Sequence, residues 1–377
     1  MNHMEQERAL VLEGRRAAKQ DAIEQLSSEF DWQFEQRWHT AAQLVLLHRG
    51  RVVLERARGV GAFASVTTDT PFLVFSIAKS VLALCIHHLV DRRVIGLGDP
   101  VSRYWREFSG HGKAHCTIRH VLLHQTGLPT HGLWRQLQPF STWNRSIERL
   151  ERSRPSSEAG IVSAYQPLNY GFILGEVLQR VSGLSPQEYL EQHFLKPMGL
   201  TITTWAPSAD QVETAPRIES RVPAVSTWLF NRKYLRTRLV PGFNLLSTAN
   251  ELAAFFLLLS QGGCYGGTRY LSVETVREAT ALHFRGSDLT VGRETLWAMG
   301  FHLGGFKKEH AWRPGPAMGV RSSVRTFGHC GHLSSIVWAD PDASIVFAFT
   351  CNGLLSSCGA ALRWQRLADL AWNAVAA

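Results

Sequence analysis

A chain of 377 residues with 45% hydrophobic and 19% charged residues, including 12 Trp and 19 Phe, has material for one large or two interleaved domains and excludes a disordered protein. Six scattered cysteines without a C-x-x-C pair, and a charged opening stretch without an apolar run, argue against a secretory signal and point to a reducing cytoplasm with free thiols. The formal charge of +9 raises nucleic acid or anionic membrane as partners, yet the basic residues are spread along the chain and only NRKYLRTR (231–238) concentrates them, which reads as a solvated face and not as a nucleic-acid site.

In chain order, residues 5–36 are rich in Glu, Arg, Ala, Leu and Gln and read as helix. AAQLVLLH and RVVLERARG then flank Arg49-Gly50 as a hairpin. A G-x-G-x-x-A string follows at 59–64, but the turn-rich run after it denies the helix that a dinucleotide fingerprint needs. Helical pattern resumes at Ser76 and runs to about Arg93, where Gly96 and Gly98 stop it. From there to about residue 290 the pattern is helix and loop, punctuated by Gly stops and Ser or Thr starts. Its longest apolar run, 252–259, is too short to span a membrane. WAMGFHLGG, SVRTFGH, LSSIVWAD and ASIVFAFTCN read as strands before a closing helix over about 359–375. Strands at both ends with helices between predict one antiparallel sheet built from the two termini, with the middle of the chain as a second lobe.

Chemistry concentrates first at Ser76-Ile77-Ala78-Lys79. On a helix, Ser76, Lys79 and Ser80 share a face, and a hydroxyl at the helix start lies beside unsatisfied N–H groups. A serine attacks only once its proton is removed, and a lysine can remove it only if burial depresses its pKa. The apolar flanks 72–75 and 81–84 offer that burial. Taken alone, the spacing equally describes a capping serine followed by a surface lysine.

The surrounding text decides between the two. TIRHVLLHQTGLP (117–129), AYQPLNYGFILGEVLQRVSG (164–183), DPVSRYWREF (99–108), FLKPMGLTITTW (194–205), NLLSTANELAAFF (244–256) and FGHCGHLSSIVWADP (327–341) resemble the class C β-lactamase-like and family VIII carboxylesterase group of the penicillin-recognising serine hydrolases. The likeness covers about residues 40–350. It implies an α/β fold in which helices sandwich an antiparallel sheet, formed by 1–75 and 290–377, beside an all-helical lobe at 76–289, with the active site between them. It also implies Ser76 as nucleophile, Lys79 as the group that helps deprotonate it, and Tyr165 as proton relay. His329-Cys330-Gly331 stands at the K-T-G position, and the backbone N–H groups of Ser76 and His332 take the oxyanion.

Two departures narrow the substrate. Tyr165-Gln166-Pro167 replaces Y-x-N, and proline has neither the amide side chain nor an N–H with which to hold a β-lactam; Asn169, two residues on, belongs to the next helix. His329 replaces a permanent cation by a weaker, pH-dependent one. The expectation is a cytoplasmic esterase acting on a small-molecule ester or amide through an acyl-serine, without cofactor or metal. A β-lactam or D-amino-acid peptide hydrolase, a transacylase of the same fold, and a non-catalytic binding or scaffold relative stay open, as do the acyl-chain length and the oligomeric state. His120 with His124, and His111 with His115, have zinc-compatible spacing but no third ligand, and read as core or capping residues. Cys330 reads as a buried filler turned away from the face of His329. Trp134, Trp143 and Trp205 are candidates to shape a pocket.

Overall fold

A computed structural model of the chain describes residues 3–59, 65–130, 142–221, 225–305 and 317–376. The glycine string beyond Gly59 and Trp134 fall outside them. Helix α1 (His3–Glu35) leads into the hairpin β1 (Ala41–His48) and β2 (Arg51–Gly59), whose turn residues Arg49 and Gly50 both have positive φ, matching the twist of the flanking strands. The sheet is completed by β3 (Phe284–Asp288), β4 (Arg293–Ala298), β5 (Phe301–Leu303), β6 (Phe327–Cys330), β7 (Ile336–Asp340) and β8 (Ile345–Cys351). Its eight strands run β2-β1-β8-β7-β6-β5-β4-β3, and every pairing is antiparallel. The first hairpin thus docks on the last strand, and the two ends of the chain share one sheet.

Alternation along β1 feeds two cores. Ala42, Leu44 and Leu46 pack with Leu26 and Phe30 of α1 and with Trp364, Leu367 and Trp372 of the closing helix α7 (Ser357–Ala376). Val45 and Leu47 face the other way, into the larger core that contains α2 (Ala78–Asp91), α5 (Asn169–Ser182) and α6 (Ala249–Ser260). Covering both faces explains why β1 and β8 read as nearly continuous apolar runs. The remaining helices used below are the short α3 (Ile118–Leu122) and α4 (Trp143–Arg152). Among the described residues no helix is long and apolar enough to cross a membrane.

The sequence pattern differs from the structure in four places. The run WAMGFHLGG, expected as one strand, turns back at Met299-Gly300, so that Trp297 and Ala298 end β4 and Phe301–Leu303 form β5. Phe284–Asp288, expected within helix and loop, is the edge strand β3; its sequence FRGSD has a wet face and a glycine, so it carries no apolar signal. The predicted helix start at Ser76 is instead a 3₁₀ turn, Phe75–Ile77, with α2 beginning at Ala78. The basic stretch 231–238 is not simply a solvated face: Arg236 is buried and donates to the carbonyls of Val212, Ala215 and Pro216, while Arg232 stacks on Trp228 at 3.7 Å.

Arg363 of α7 closes the terminal core. It is fully buried, and its guanidinium donates to the carbonyls of Gly353 (2.7 Å) and Trp38 (2.5 Å) and to Cys351 Sγ (3.2 Å), joining α7 to the end of the β1–β8 pair where β1 begins and β8 finishes. Replacing it with methionine keeps the length but strands these acceptors, at a cost of about 1–3 kcal/mol for each group left unsatisfied. Urea unfolding of Arg363→Met is therefore expected to show a loss of roughly 2–4 kcal/mol, and an unchanged midpoint would contradict the assignment.

Candidate active site

The nucleophile candidate sits on strained backbone. Phe75, immediately before Ser76, has φ of +50°, a conformation that costs a bulky residue about 1–2 kcal/mol. Its ring is pinned by Phe230, Phe243 and the His332 imidazole at centroid distances of 5.2, 5.3 and 5.7 Å. This cluster holds the turn so that Ser76 stays partly accessible while its neighbours are buried.

Lys79, one helical turn on, is completely buried, with Nζ 3.1 Å from Ser76 Oγ and donating to the Gly242 carbonyl at 2.7 Å. Among the described residues no carboxylate pairs with it, and burial drives its pKa well below the usual lysine value. The position of the Gly242 carbonyl depends on a close backbone approach: a Cβ on Gly171 of α5 would lie 2.2 Å from Gly242 N. The α5 face thereby fixes the acceptor that orients the amine.

Tyr165 lies in the loop before α5, its ring stacked parallel on Trp297 of β4 at 5.8 Å and 5.1 Å from Lys79 Nζ. Burial raises its phenol pKa, opposed by a hydrogen bond with the Ser76 side chain; the nearby Cys330 and Asp288 raise it further. Two buried acceptors hold the loop's main chain. The Tyr165 N–H donates to Asp288 Oδ1 (3.0 Å), and the Gln166 N–H donates to His124 Nδ1 (3.2 Å).

His329 of β6 faces this group. Its Nδ1 bonds the Cys330 carbonyl at 2.8 Å and must carry the proton there, since a carbonyl only accepts. Nε2 is buried without a partner among the described residues, and the ring lies 4.7 Å from that of His302. Burial, then the positive fields of His302 and Lys79, hold His329 well below the imidazole range, and His302 is pushed down to about 3 for the same first reason. The expected cation-capable, pH-dependent imidazole is thus a neutral group near pH 7. Cys330 packs on the opposite side of the sheet, against the core under α1 and α7. Burial raises its thiol to about 12, so it is not a competing nucleophile.

Gly331 brings the end of β6 against the nucleophile turn. A Cβ there would lie 2.6 Å from the Val74 carbonyl, so only glycine lets the backbone leading to His332 approach the segment leading to Ser76. Asn169 does not stand in for the missing asparagine: its Nδ2 donates to Gln166 Oε1 (2.9 Å) and its Oδ1 accepts from Arg149 (2.8 Å).

Ser76, Lys79, Tyr165 and His329 therefore converge. Asp288, His302, Trp297 and the Gly242 carbonyl join them without any local sequence signal, because each comes from a distant segment. His124 enters as an acceptor for the Tyr165 loop, and His120 Nδ1 accepts from the Thr117 N–H as a cap of α3. Among the described residues no group of three or more His, Cys, Asp or Glu could hold a metal ion. Trp205 is fully buried, and its backbone N–H donates to Gln187 Oε1. Trp143 lines a cavity of about 430 Å³ with Phe172 and Val240.

A family model described as Beta-lactamase matches residues 20–371. The chain is 28% identical over 320 residues to the esterase/beta-lactamase LipL of Mycobacterium tuberculosis, covering 77% of this chain and 71% of LipL. It is 26% identical over 207 residues to the esterase EstB of Burkholderia gladioli, about half of each chain. Among solved structures, a family VIII carboxylesterase superposes with a TM-score of 0.80 at 23% identity, covering 94% of this chain and 97% of the other. A penicillin-binding protein homologue from Caulobacter crescentus gives 0.78 at 23% identity, covering 94% and 98%. At these identities the superpositions establish the fold.

Burial of neutral imidazoles has a measurable signature. His39, His87, His124 and His329 are all buried, with pKa values depressed first by desolvation, His87 to about 4. Below about pH 6.5 the unfolded chain takes up protons that the folded one refuses, so stability falls as pH drops towards the folded values, by up to about 1.4 kcal/mol per pH unit for each histidine. Unfolding at pH 7.5 and pH 5 should show a clear loss at the lower value. A flat profile would mean that these rings titrate normally in the folded protein.

Proposed function

The chain belongs to the Beta-lactamase family and is a serine hydrolase of that fold; from this premise we propose that it cleaves carboxylic esters through an acyl-Ser76 intermediate, with Lys79 and Tyr165 sharing the base role. The observation that carries the reading is the burial of Lys79 3.1 Å from Ser76 Oγ, with no counter-charge among the described residues.

In this reading the neutral amine gives one N–H to the Gly242 carbonyl and turns its lone pair to Ser76. Ser76 Oγ attacks the ester carbonyl carbon while its proton passes to Lys79 Nζ. The oxyanion is taken by the backbone N–H groups of Ser76 and His332, from the two segments that Gly331 allows to meet. The alkoxide leaves with a proton relayed through Tyr165, whose raised pKa keeps it a phenol, so that it gives one proton to the leaving oxygen as it takes another from Lys79. Water then attacks the acyl carbon, loses its proton along the same path, and Ser76 departs protonated.

Ester rather than β-lactam substrates follow from three features. Pro167 offers no amide, Asn169 is committed to Arg149 and Gln166, and the neutral His329 supplies no fixed cation for a carboxylate. EstB, an esterase, points the same way, while LipL is described as both esterase and beta-lactamase. The site lies between a sheet domain made of 1–75 and 290–377, to which Phe284–Asp288 adds a strand, and the helical region 76–289. The substrate is a small-molecule ester or amide, and a cytoplasmic location remains part of the proposal.

Ser76→Ala should lower kcat for a p-nitrophenyl ester by about 10⁴-fold or more with an unchanged fold, and Tyr165→Phe by roughly 10²–10³-fold. A fluorophosphonate should label Ser76 stoichiometrically; no adduct together with no turnover would favour a non-catalytic binder. Nitrocefin hydrolysis matching ester hydrolysis would restore the β-lactamase alternative.

The pH profile separates the base from its neighbours. Activity should fall on the acid side as Lys79 takes up a proton at its lowered pKa, with no added limb from His329, which is already neutral. His329→Gln should leave that limb where it is. Movement of the limb in this variant would transfer the titration to the histidine.

A further inference from the structure

At the outer edge of the sheet, β3 ends in Asp288, a buried carboxylate with no cation among its described partners. Four donors surround it. Oδ1 accepts from the backbone N–H groups of Tyr165 (3.0 Å), Thr290 (2.9 Å) and Val291 (2.9 Å), and Oδ2 accepts from the Ser163 hydroxyl (2.9 Å). The main chain answers in the other direction, the Leu289 N–H donating to the Ser163 carbonyl at 3.0 Å. Residues 163–165 have no helix or strand of their own to locate them.

We infer that Asp288 is the positioning residue that sets Tyr165 against Ser76, latching the loop of the helical region to the edge of the sheet across the cleft. The carboxylate fixes the backbone at Tyr165 itself, the His124 acceptor fixes the next N–H, and stacking on Trp297 then leaves the ring little freedom. The N–H groups of Thr290 and Val291, in the turn into β4, converge on the same Oδ1, so the latch is tied to the sheet edge. Without it, Tyr165 keeps its ring contacts but loses the anchor that sets the reach of its hydroxyl. A displacement of about 1 Å at a proton-transfer group costs up to about 10²-fold in rate.

The inference rests on Tyr165 acting as proposed above, and the test separates the two. Asp288→Ala, Asp288→Asn and Tyr165→Phe are compared by kcat and KM on a p-nitrophenyl ester, with active sites counted by fluorophosphonate labelling so that misfolded protein drops out. Asp288→Ala should lose about 10–100-fold in kcat per labelled site with KM changed little. Asp288→Asn should recover most of that, because its Oδ1 still accepts the Tyr165 N–H. In the Tyr165→Phe background Asp288→Ala should cost almost nothing more. An unchanged kcat per labelled site, or losses that multiply in the double variant, would overturn the positioning role while leaving Tyr165 in place. Full activity in Tyr165→Phe alone would remove the parent reading, and this one with it. If Asp288→Ala does not fold, Ser163→Ala carries the same test through removal of a single hydrogen bond. Its expected loss is several-fold, again absent without the phenol, and a loss that persists without the phenol counts against the latch.

Discussion

The arrangement turns on one unpaired amine in a dry place. A charged ammonium at Lys79 would forfeit its hydration for one carbonyl and one hydroxyl, a penalty of several kcal/mol that no carboxylate among the described residues offsets. Losing the proton is the cheaper course, and it converts a point charge into a base aimed at Ser76. The surroundings serve that exchange. α2 is buried along almost its whole length, α5 comes close enough through Gly171 to set the Gly242 carbonyl, and the β6 edge closes over the nucleophile turn at Gly331. The strained φ of Phe75 is held by the ring cluster around it, as is usual where backbone strain coincides with reactive groups.

The same absence of counter-charge governs the imidazoles. His124, His302 and His329 stand around Tyr165 and Lys79, and each carries the lysine among the causes of its lowered pKa. Several cations in one desolvated cluster would repel one another, so the group is stable only if its members are neutral together. In that state each ring serves by hydrogen-bond polarity: His124 as acceptor for a main-chain N–H, His329 as donor to its own strand with a lone pair left facing the site.

What the sequence made legible was local. The Arg49-Gly50 hairpin, β6 to β8 and the closing helix follow from alternation and turn chemistry over a few residues, and Ser76 with Lys79 from one helical turn, whereas WAMGFHLGG reads as one strand and is the turn of the β4–β5 hairpin. The edge strand β3 escaped because an edge needs only one dry face, and FRGSD shows almost none. Asp288 escaped for a different reason: its contact to Tyr165 spans 123 positions, and nothing near either residue announces the other. His124 drew attention for its spacing to His120, as a metal pair would, whereas its part is to accept from Gln166, 42 positions away. Arg236 looked like one of a row of solvated charges until three carbonyls of the preceding segment were seen to surround it. Periodicity reports the face an element buries, and it is silent on which distant polar group that face meets.

This division bears on how such a site can change its substrate without losing its chemistry. The proposed nucleophile Ser76 and base Lys79 sit within one helical turn and depend on backbone contacts, the Gly242 carbonyl and the glycine approaches, that tolerate few side-chain changes. The groups expected to read the substrate, Pro167 and His329, hang on a loop and on a strand, each anchored through its own or an adjacent main chain. A lysine at position 329 would put a second desolvated cation beside Lys79 and oppose the neutral cluster that now surrounds the base. A histidine whose Nδ1 proton is spent on the Cys330 carbonyl avoids that conflict, at the loss of a fixed anchor for anionic substrates. In the proposed esterase, preference for uncharged esters and the low basicity of Lys79 are then two consequences of the same neutral, solvent-poor wall.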